Sequence, residues 1–517
     1  MKFSPLTAIH NRRRLHNASE KIARKFSKKH TFFFAAFVVL VSLASCYRDL
    51  GNYDYARLNE FGLSGLPNSN VVLGDTLRLN PVLNEETPDS LRFDYTWTVE
   101  FSDPQRLQNR LDSVAVVIGR EKQLEFVVEN LVTGAYTVKV EAMDRNTGVR
   151  RFTFARLTVT SPFELGYMLL EETADGGDIS LVNDSTVHRS VFSRNNGGMH
   201  LPAPLRGIFM NNSRGKALFV SAGDFHQELD VESFRVIRSM EELFPSPLSV
   251  PMRPVLFSDL PRSSGNAVFV WNSGYISRVV AFAPDRSEIS YYPPVVDDYE
   301  LAPFLGYYRW GSIGYDRRNG RFLSFPDSWQ GSNMQEFLPA EPGDAFDFNL
   351  IGKEMVYGSN IYRHNEYISI FRDDNQNMHV YNMRILLFDN VRADFTFQID
   401  LAAVPEIDRA SGFAASYNLP ILYYTVDNKV YIFDVPNRRA RLFFEFPAGE
   451  NISTINWGNK EGSREIAIST YDGHQGRFYV FVPNAAGTFT SPRWPVQGGF
   501  GRIIQTKMKY NVRSPFE

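Results

Sequence analysis

The chain has 517 residues, with 55 Lys and Arg against 58 Asp and Glu, but residues 1–45 hold nine basic residues and one acid, leaving 46 basic against 57 acidic residues in the rest. An acidic body excludes nucleic acid as partner, because phosphate binding needs a basic face, and 43% hydrophobic with 22% charged residues excludes a disordered chain. The single cysteine excludes a disulfide framework or a cysteine-based zinc site, and an aromatic fraction of 14%, with 42 Phe and 24 Tyr, favours strands over helices.

The N-terminus reads as a secretion leader. A basic region precedes the apolar run Phe32–Leu43, too short for the roughly 20 residues that span a bilayer but fitting a signal h-region. Leu43-Ala44-Ser45-Cys46 follows at once, small residues before the sole cysteine. This looks like a lipobox, where the thiol takes the lipid and the leader is removed. Residues 1–45 are expected to be the signal peptide, Cys46 the lipidation site and 46–57 an extended tether. Lipid attachment would hold the chain on a membrane without crossing it.

Residues 58–161 pattern as a β-sandwich of Ig-like topology. Thr76–Leu79, Phe93–Val99, Leu124–Val127, Tyr136–Ala142 and Arg151–Val159 are expected strands, and Asp144-Arg145-Asn146-Thr147-Gly148 has hairpin chemistry. Alternation puts Phe93, Tyr95, Trp97 and Val99 on one face, so Trp97 is expected in the core between sheets.

Ser161-Pro162 marks the next boundary. Over 162–517, turn signals recur at Asp175-Gly176-Gly177, Arg214-Gly215, Asn272-Ser273-Gly274, Arg318-Asn319-Gly320, Asp374–Asn377, Asp427-Asn428 and Asp472-Gly473. Their spacing brackets one propeller blade of roughly 40–50 residues, which favours seven blades. Strands are expected at Ala217–Val220, Ala267–Trp271, Arg321–Phe325, Tyr367–Phe371, Leu422–Thr425, Lys429–Phe433 and Arg477–Val482. The last, Arg502–Tyr510, would close the ring on the first blade. The fold class expected is therefore all-β, a sandwich followed by a β-propeller; two stacked sandwiches are the competing architecture.

Cys46-Tyr47-Arg48-Asp49-Leu50-Gly51-Asn52-Tyr53-Asp54-Tyr55 with Asn59-Glu60, the Gly74-Asp75 turn, Trp97, Gly134-Ala135-Tyr136-Thr137-Val138 and Gly166-Tyr167-Met168-Leu169-Leu170 together resemble the PKD-like family lipoproteins of Bacteroidetes. The resemblance implies a PKD-like sandwich, a propeller-like C-terminal region and an outer-membrane lipoprotein facing the cell exterior. It also implies an association with a SusC/SusD-type nutrient importer, and Asp49 and Asp54 supply acidity of the kind surface-export signals carry. It carries no catalytic residue and no cofactor.

Chemistry-bearing motifs are sparse. The histidines after the leader, His188, His200, His226, His364, His379 and His474, show no paired zinc spacing, and no Gly-x-Ser-x-Gly elbow is present. Asp373, Asn375 and Asn377 offer alternate oxygens of a calcium loop, but the required glycine and terminal glutamate are missing, so a polar hairpin is the expected form. Asp297, Asp298, Glu300 and Asp316 are acids that a glycosidase could use in pairs, with nothing in the sequence to converge any two. Aromatics are the better lead, because sugar rings and peptide side chains stack on exposed rings. Tyr308, Arg309 and Trp310 in Gly306–Gly311, and Trp329 in Asp327–Gly331, are the expected ligand contacts, ahead of Trp271, Trp457 and Trp494. The function expected is non-catalytic capture of a glycan or peptide beside the importer. A propeller glycoside hydrolase or lyase, and a purely structural lipoprotein, are the alternatives.

Overall fold

The computed structural model describes residues 61–84, 92–102, 115–129, 131, 133–184, 186–211, 217–244, 253–259, 267–278, 291–308, 311–326, 334–361, 365–386, 391–458, 465–493 and 495–509. The leader, Cys46, the tether, Arg309, Trp310 and Trp329 lie outside them. The described residues from Gly62 onward belong to one compact unit, and none forms a helix long and apolar enough to cross a membrane.

Among the described residues nine strands build the sandwich: β1 (Gly62–Ser64), β2 (Ser69–Val72), β3 (Thr76–Leu79), β4 (Val82–Asn84), β5 (Phe93–Phe101), β6 (Val116–Gly119), β7 (Leu124–Val127), β8 (Gly134–Asp144) and β9 (Arg150–Thr160). One sheet has the order β2-β9-β8-β5-β6, and the pairs β1-β4 and β3-β7 complete the fold. Period-two alternation does the sorting. Phe93, Tyr95, Trp97, Val99 and Phe101 all bury their side chains, as do Tyr136, Val138, Val140 and Ala142 opposite them. Trp97 is fully buried, as expected, and its indole N–H donates to the Glu121 carbonyl at 2.8 Å. The β8–β9 turn is locked by buried Asp144, which accepts from Asn146 N (2.9 Å) and is paired with Arg92.

Beyond Pro162 the described residues form seven antiparallel sheets. Six begin with the strands Leu205–Asn211, Pro254–Asp259, Leu301–Tyr308, Glu354–Ile361, Gly412–Ala415 and Asn451–Trp457, and each continues strand by strand in chain order. The remaining sheet is built on Gly166–Thr173 and Gly176–Asn183, and its leading strand is the C-terminal one, Arg502–Lys509, paired antiparallel to Gly166–Glu172. The closure expected from the sequence is therefore present. Leading strands of successive sheets touch in a cycle that returns to its start.

Apolar clusters fill the gaps between neighbours all the way round. Met168 and Leu170 meet Ile208 and Leu218; Phe219 meets Phe269 and Trp271; Val270 meets Leu323; Phe322 meets Tyr367; Ile370 meets Leu422; Tyr423 meets Ile468. The last gap closes Phe478 and Val480 against Tyr167 and Ile503. This is the packing of a propeller, with each sheet covered on both faces. That explains why strands such as Ala217–Ala222, Gly311–Asp316 and Ile421–Val426 are buried at every residue and read as continuous rather than alternating runs. Two stacked sandwiches would not give this cyclic order.

Six of the seven turn signals are hairpins joining the second and third strands of a sheet, so they all leave the same end of the array. Arg214-Gly215 lies outside the described residues, and the equivalent hairpin of its sheet is Gly223-Asp224. The opposite end meets the sandwich. There the Glu232 carboxylate accepts from Thr133 N (3.0 Å) and from the Thr133 hydroxyl, while Ser161 Oγ donates to the Glu232 carbonyl at 2.7 Å. Lys509, almost fully buried, donates to the carbonyls of Phe163 and Val231, and its ammonium lies 5.4 Å from the Phe234 ring.

Candidate functional site

The two tryptophan-bearing connections spring from one end of one sheet. Strand Leu301–Tyr308 ends at Tyr308, which pairs with Gly311 at the start of the next strand, and Gly311 pairs in turn with Pro326 at the end of the third. Residues 309–310 and 327–333 therefore leave adjacent strand ends, although Arg309, Trp310 and Trp329 themselves are outside the described residues. Tyr308 is not free to stack on a ligand: its ring is buried and its hydroxyl meets Ser324 Oγ at 2.8 Å.

The ground beneath these connections is held from both neighbouring sheets. On one side the Asn360 side chain, buried, accepts from Tyr307 N and donates to Tyr307 O, both at 2.9 Å. On the other, buried Arg278 donates to the Pro326 carbonyl and lies 4.2 Å over the Phe325 ring. The glycines that frame the motif are steric requirements. A Cβ on Gly306 would come within 2.4 Å of the Tyr367 ring, and one on Gly311 within 2.5 Å of the Phe325 carbonyl. Asn360 and Arg278 were missed by sequence reasoning, because an isolated polar residue within a strand carries no mark of the neighbour it will meet.

The acids singled out in the sequence serve the turns. Asp316 accepts from Glu300 N (2.9 Å), Arg318 N (3.1 Å) and Asn319 Nδ2 (2.9 Å) and is paired with Arg321, whereas exposed Asp298 faces Arg318 and Glu300 faces Arg317. Glu171 and Asp178, cross-strand neighbours, are buried instead. Burial pushes the Glu171 carboxyl up, against hydrogen bonds from Ser180 Oγ (2.5 Å) and Gly501 N (2.6 Å). With Glu171 only 4% and Asp178 0% exposed, neither can reach a substrate.

A small cleft of about 50 Å³ lies between Asp224, His226, Glu241, Phe244 and Trp271. That is far below the roughly 300 Å³ at which ligand pockets begin. His226 there is held below the usual imidazole range, chiefly by burial and then by Arg253, and its Nδ1 meets Ser221 Oγ at 2.8 Å.

The Asp373–Asn377 loop is a closed hairpin. The Asp373 carboxylate accepts from Asn375 N (2.9 Å), Asn377 N (2.8 Å) and Asn377 Nδ2 (3.1 Å), and His379 Nε2 lies 2.9 Å from it. Both Asp373 carboxylate oxygens accept hydrogen bonds inside the turn, and among the described residues no group of three or more His, Cys, Asp and Glu is placed to hold a metal. The His379 contact leads the hydrogen bonds that hold the Asp373 carboxyl down at about 2, against 3.8 for a free aspartate. A carboxyl lowered by folding stabilises the protein above its unfolded value, and that contribution is lost as pH falls through the folded one. In Asp373→Asn the fall of the urea midpoint from near pH 4 to near pH 2 should therefore be shallower than in the parent, and identical slopes would refute the assignment.

Comparison with known proteins gives a family match over the N-terminal part. Residues 46–204 match the PKD-like family. The PKD-like match thus spans the whole described sandwich and the first sheet of the propeller up to Thr186–His188. No curated protein matches the chain. Solved structures with some likeness include a quinonprotein alcohol dehydrogenase-like protein from Bacteroides thetaiotaomicron (12% identity, covering 86% of this chain and 96% of that one, TM-score 0.42). A DUF4784 family protein from Bacteroides caccae (9%, 85% and 95%, 0.29) and the BP39L lectin from Burkholderia pseudomallei (12%, 64% and 98%, 0.39) are also among them.

Proposed function

We infer that this is a lipid-anchored surface protein that captures a glycan or peptide for a SusC/SusD-type importer without turning it over. The observation that carries the capture reading is the origin of the 309–310 and 327–333 connections at adjacent strand ends of one sheet. Each connection carries a tryptophan, and Asn360, Arg278 and the buried Tyr308 hold the strand ends from which the connections leave. Rigid ground reduces the ordering cost of binding, and loops on a rigid scaffold are where binding residues concentrate. The leader, the Cys46 motif and the PKD-like match support surface attachment.

The test is a glycan and peptide binding screen on the body from residue 47, with product analysis of each hit. Trp310→Ala and Trp329→Ala should each weaken binding about tenfold or more, as loss of a central aromatic contact does. Product formation would replace capture by an enzyme. A body that binds nothing, yet co-purifies with an importer, would leave a structural role instead.

A further inference from the structure

Strand β9 carries a second surface feature, distinct from the propeller. It reads Arg-Arg-Phe-Thr-Phe-Ala-Arg over 150–156, and alternation sends Arg150, Phe152, Phe154 and Arg156 outward while Ala155, Leu157 and Val159 enter the core. Phe152 and Phe154 are 56% and 53% exposed, with their rings edge to face at 5.3 Å. Lys139 of the neighbouring strand stands 5.1 Å from the Phe152 ring. The acid beside them, Glu141, is already taken by Lys139 at 3.1 Å and Arg150 at 2.8 Å. Lys139, Arg150 and Arg156 against Glu141 thus leave the patch positive on a body whose acids outnumber its bases.

The patch has a defined place. Strand β9 runs toward the propeller, since Ser161 directly after it bonds to Glu232, so residues 150–156 form the half of β9 remote from the propeller. The chain also enters the sandwich beside this half. Strand β2 lies parallel to β9 with Ser69 beside Leu157, and β1, which precedes it, rests against β9. Fifteen residues lie between Cys46 and Gly62, a reach of at most about 55 Å when fully extended.

We propose that the Phe152–Phe154 patch seats on the anionic lipid surface to which the chain is tethered, with the rings entering the headgroup boundary and the cations pairing with lipid phosphates. This rests on the lipid-anchored reading above. Charge complementarity selects the occupant: a neutral surface would use the rings but not the positive charge that Lys139, Arg150 and Arg156 keep in excess over Glu141. Seated this way, the patch would hold the sandwich against the membrane and leave the propeller pointing away from it.

The experiment is co-sedimentation of the unlipidated body from residue 47 with vesicles of phosphatidylcholine containing phosphatidylglycerol, and with phosphatidylcholine alone. The body should pellet with the anionic vesicles, release with added salt, and bind about tenfold more weakly as Phe152→Ser/Phe154→Ser. Arg156→Glu, a change on an exposed side chain, should weaken binding as well and guards against a folding defect in the double variant. Equal pelleting with both vesicle types, no pelleting at all, or unchanged binding by both variants would overturn the proposal. A mass measurement on chain purified from its own membranes reads the Cys46 lipid separately. Its absence would overturn the tether while leaving the vesicle result to stand or fall alone.

Discussion

A chain ended after Gly501 should fail to form the propeller. The strand it would lose pairs with Gly166–Glu172 along its whole length and also serves three sheets at once. Ile503 fills the gap between the first and last sheets. The Gln505 side chain accepts from Ile208 N in the second sheet at 2.5 Å, and the Thr506 hydroxyl reaches Thr454 (3.2 Å) and Ser469 (3.4 Å) in the last. Without it, Gly166–Thr173 becomes an unpaired edge, the kind of edge that templates association. The truncated chain should elute as aggregate and show no cooperative urea transition by near-ultraviolet circular dichroism. A monomer with the parent's transition would mean that the ring closes without this strand.

The second large effect is expected at Trp97. Replacing it with alanine removes the largest side chain from the sandwich core and empties the space between β5 and its covering strands, where Gly119 lies close enough that a Cβ there would sit 3.5 Å from the indole. Truncations of this size cost about 3–5 kcal/mol, and the Glu121 carbonyl loses its donor as well. Much of a typical domain's stability, about 5–15 kcal/mol, would be gone. The sandwich transition should move to markedly lower urea, followed by far-ultraviolet circular dichroism. A shift no larger than that of a surface substitution would show that Trp97 is not the centre of this core.

Much of this fold is written locally. The alternation of Phe93–Val99 and Tyr136–Ala142 predicts which side chains go inward, and the Asp-, Asn- and Gly-rich turns mark hairpins because those residues tolerate the required backbone. What is not written locally is the meaning of single polar residues within apolar runs. Lys509 and Arg278 look like surface cations, yet both are buried against carbonyls supplied by distant parts of the chain. The candidate site shows the same limit. Gly306–Gly311 announces an aromatic turn, but a register shift between Leu301 and Leu305 resets the strand's phase. Which of its aromatics turns inward therefore cannot be read by counting alternate residues, and Tyr308 becomes part of the support. Buried Ser221, Ser312, Ser369, Thr425 and Ser469 recur in the second strands of five sheets. That repeat is visible only once the sheets are aligned in space.

The joint around Glu232 and Lys509 bears on how the molecule takes a load. A pull arriving at Gly62 through the chain before it passes into β2, whose four residue pairs with β9 are parallel. The two strands are then drawn past one another in shear, and several hydrogen bonds must break together. From β9 the force reaches Ser161 and Phe163, both fastened to the propeller, the latter through Lys509 on the strand that closes the ring. Tension on the N-terminal side is thus delivered to the element whose pairing holds the propeller shut, so the β2–β9 pair and the closing strand bear the load in series.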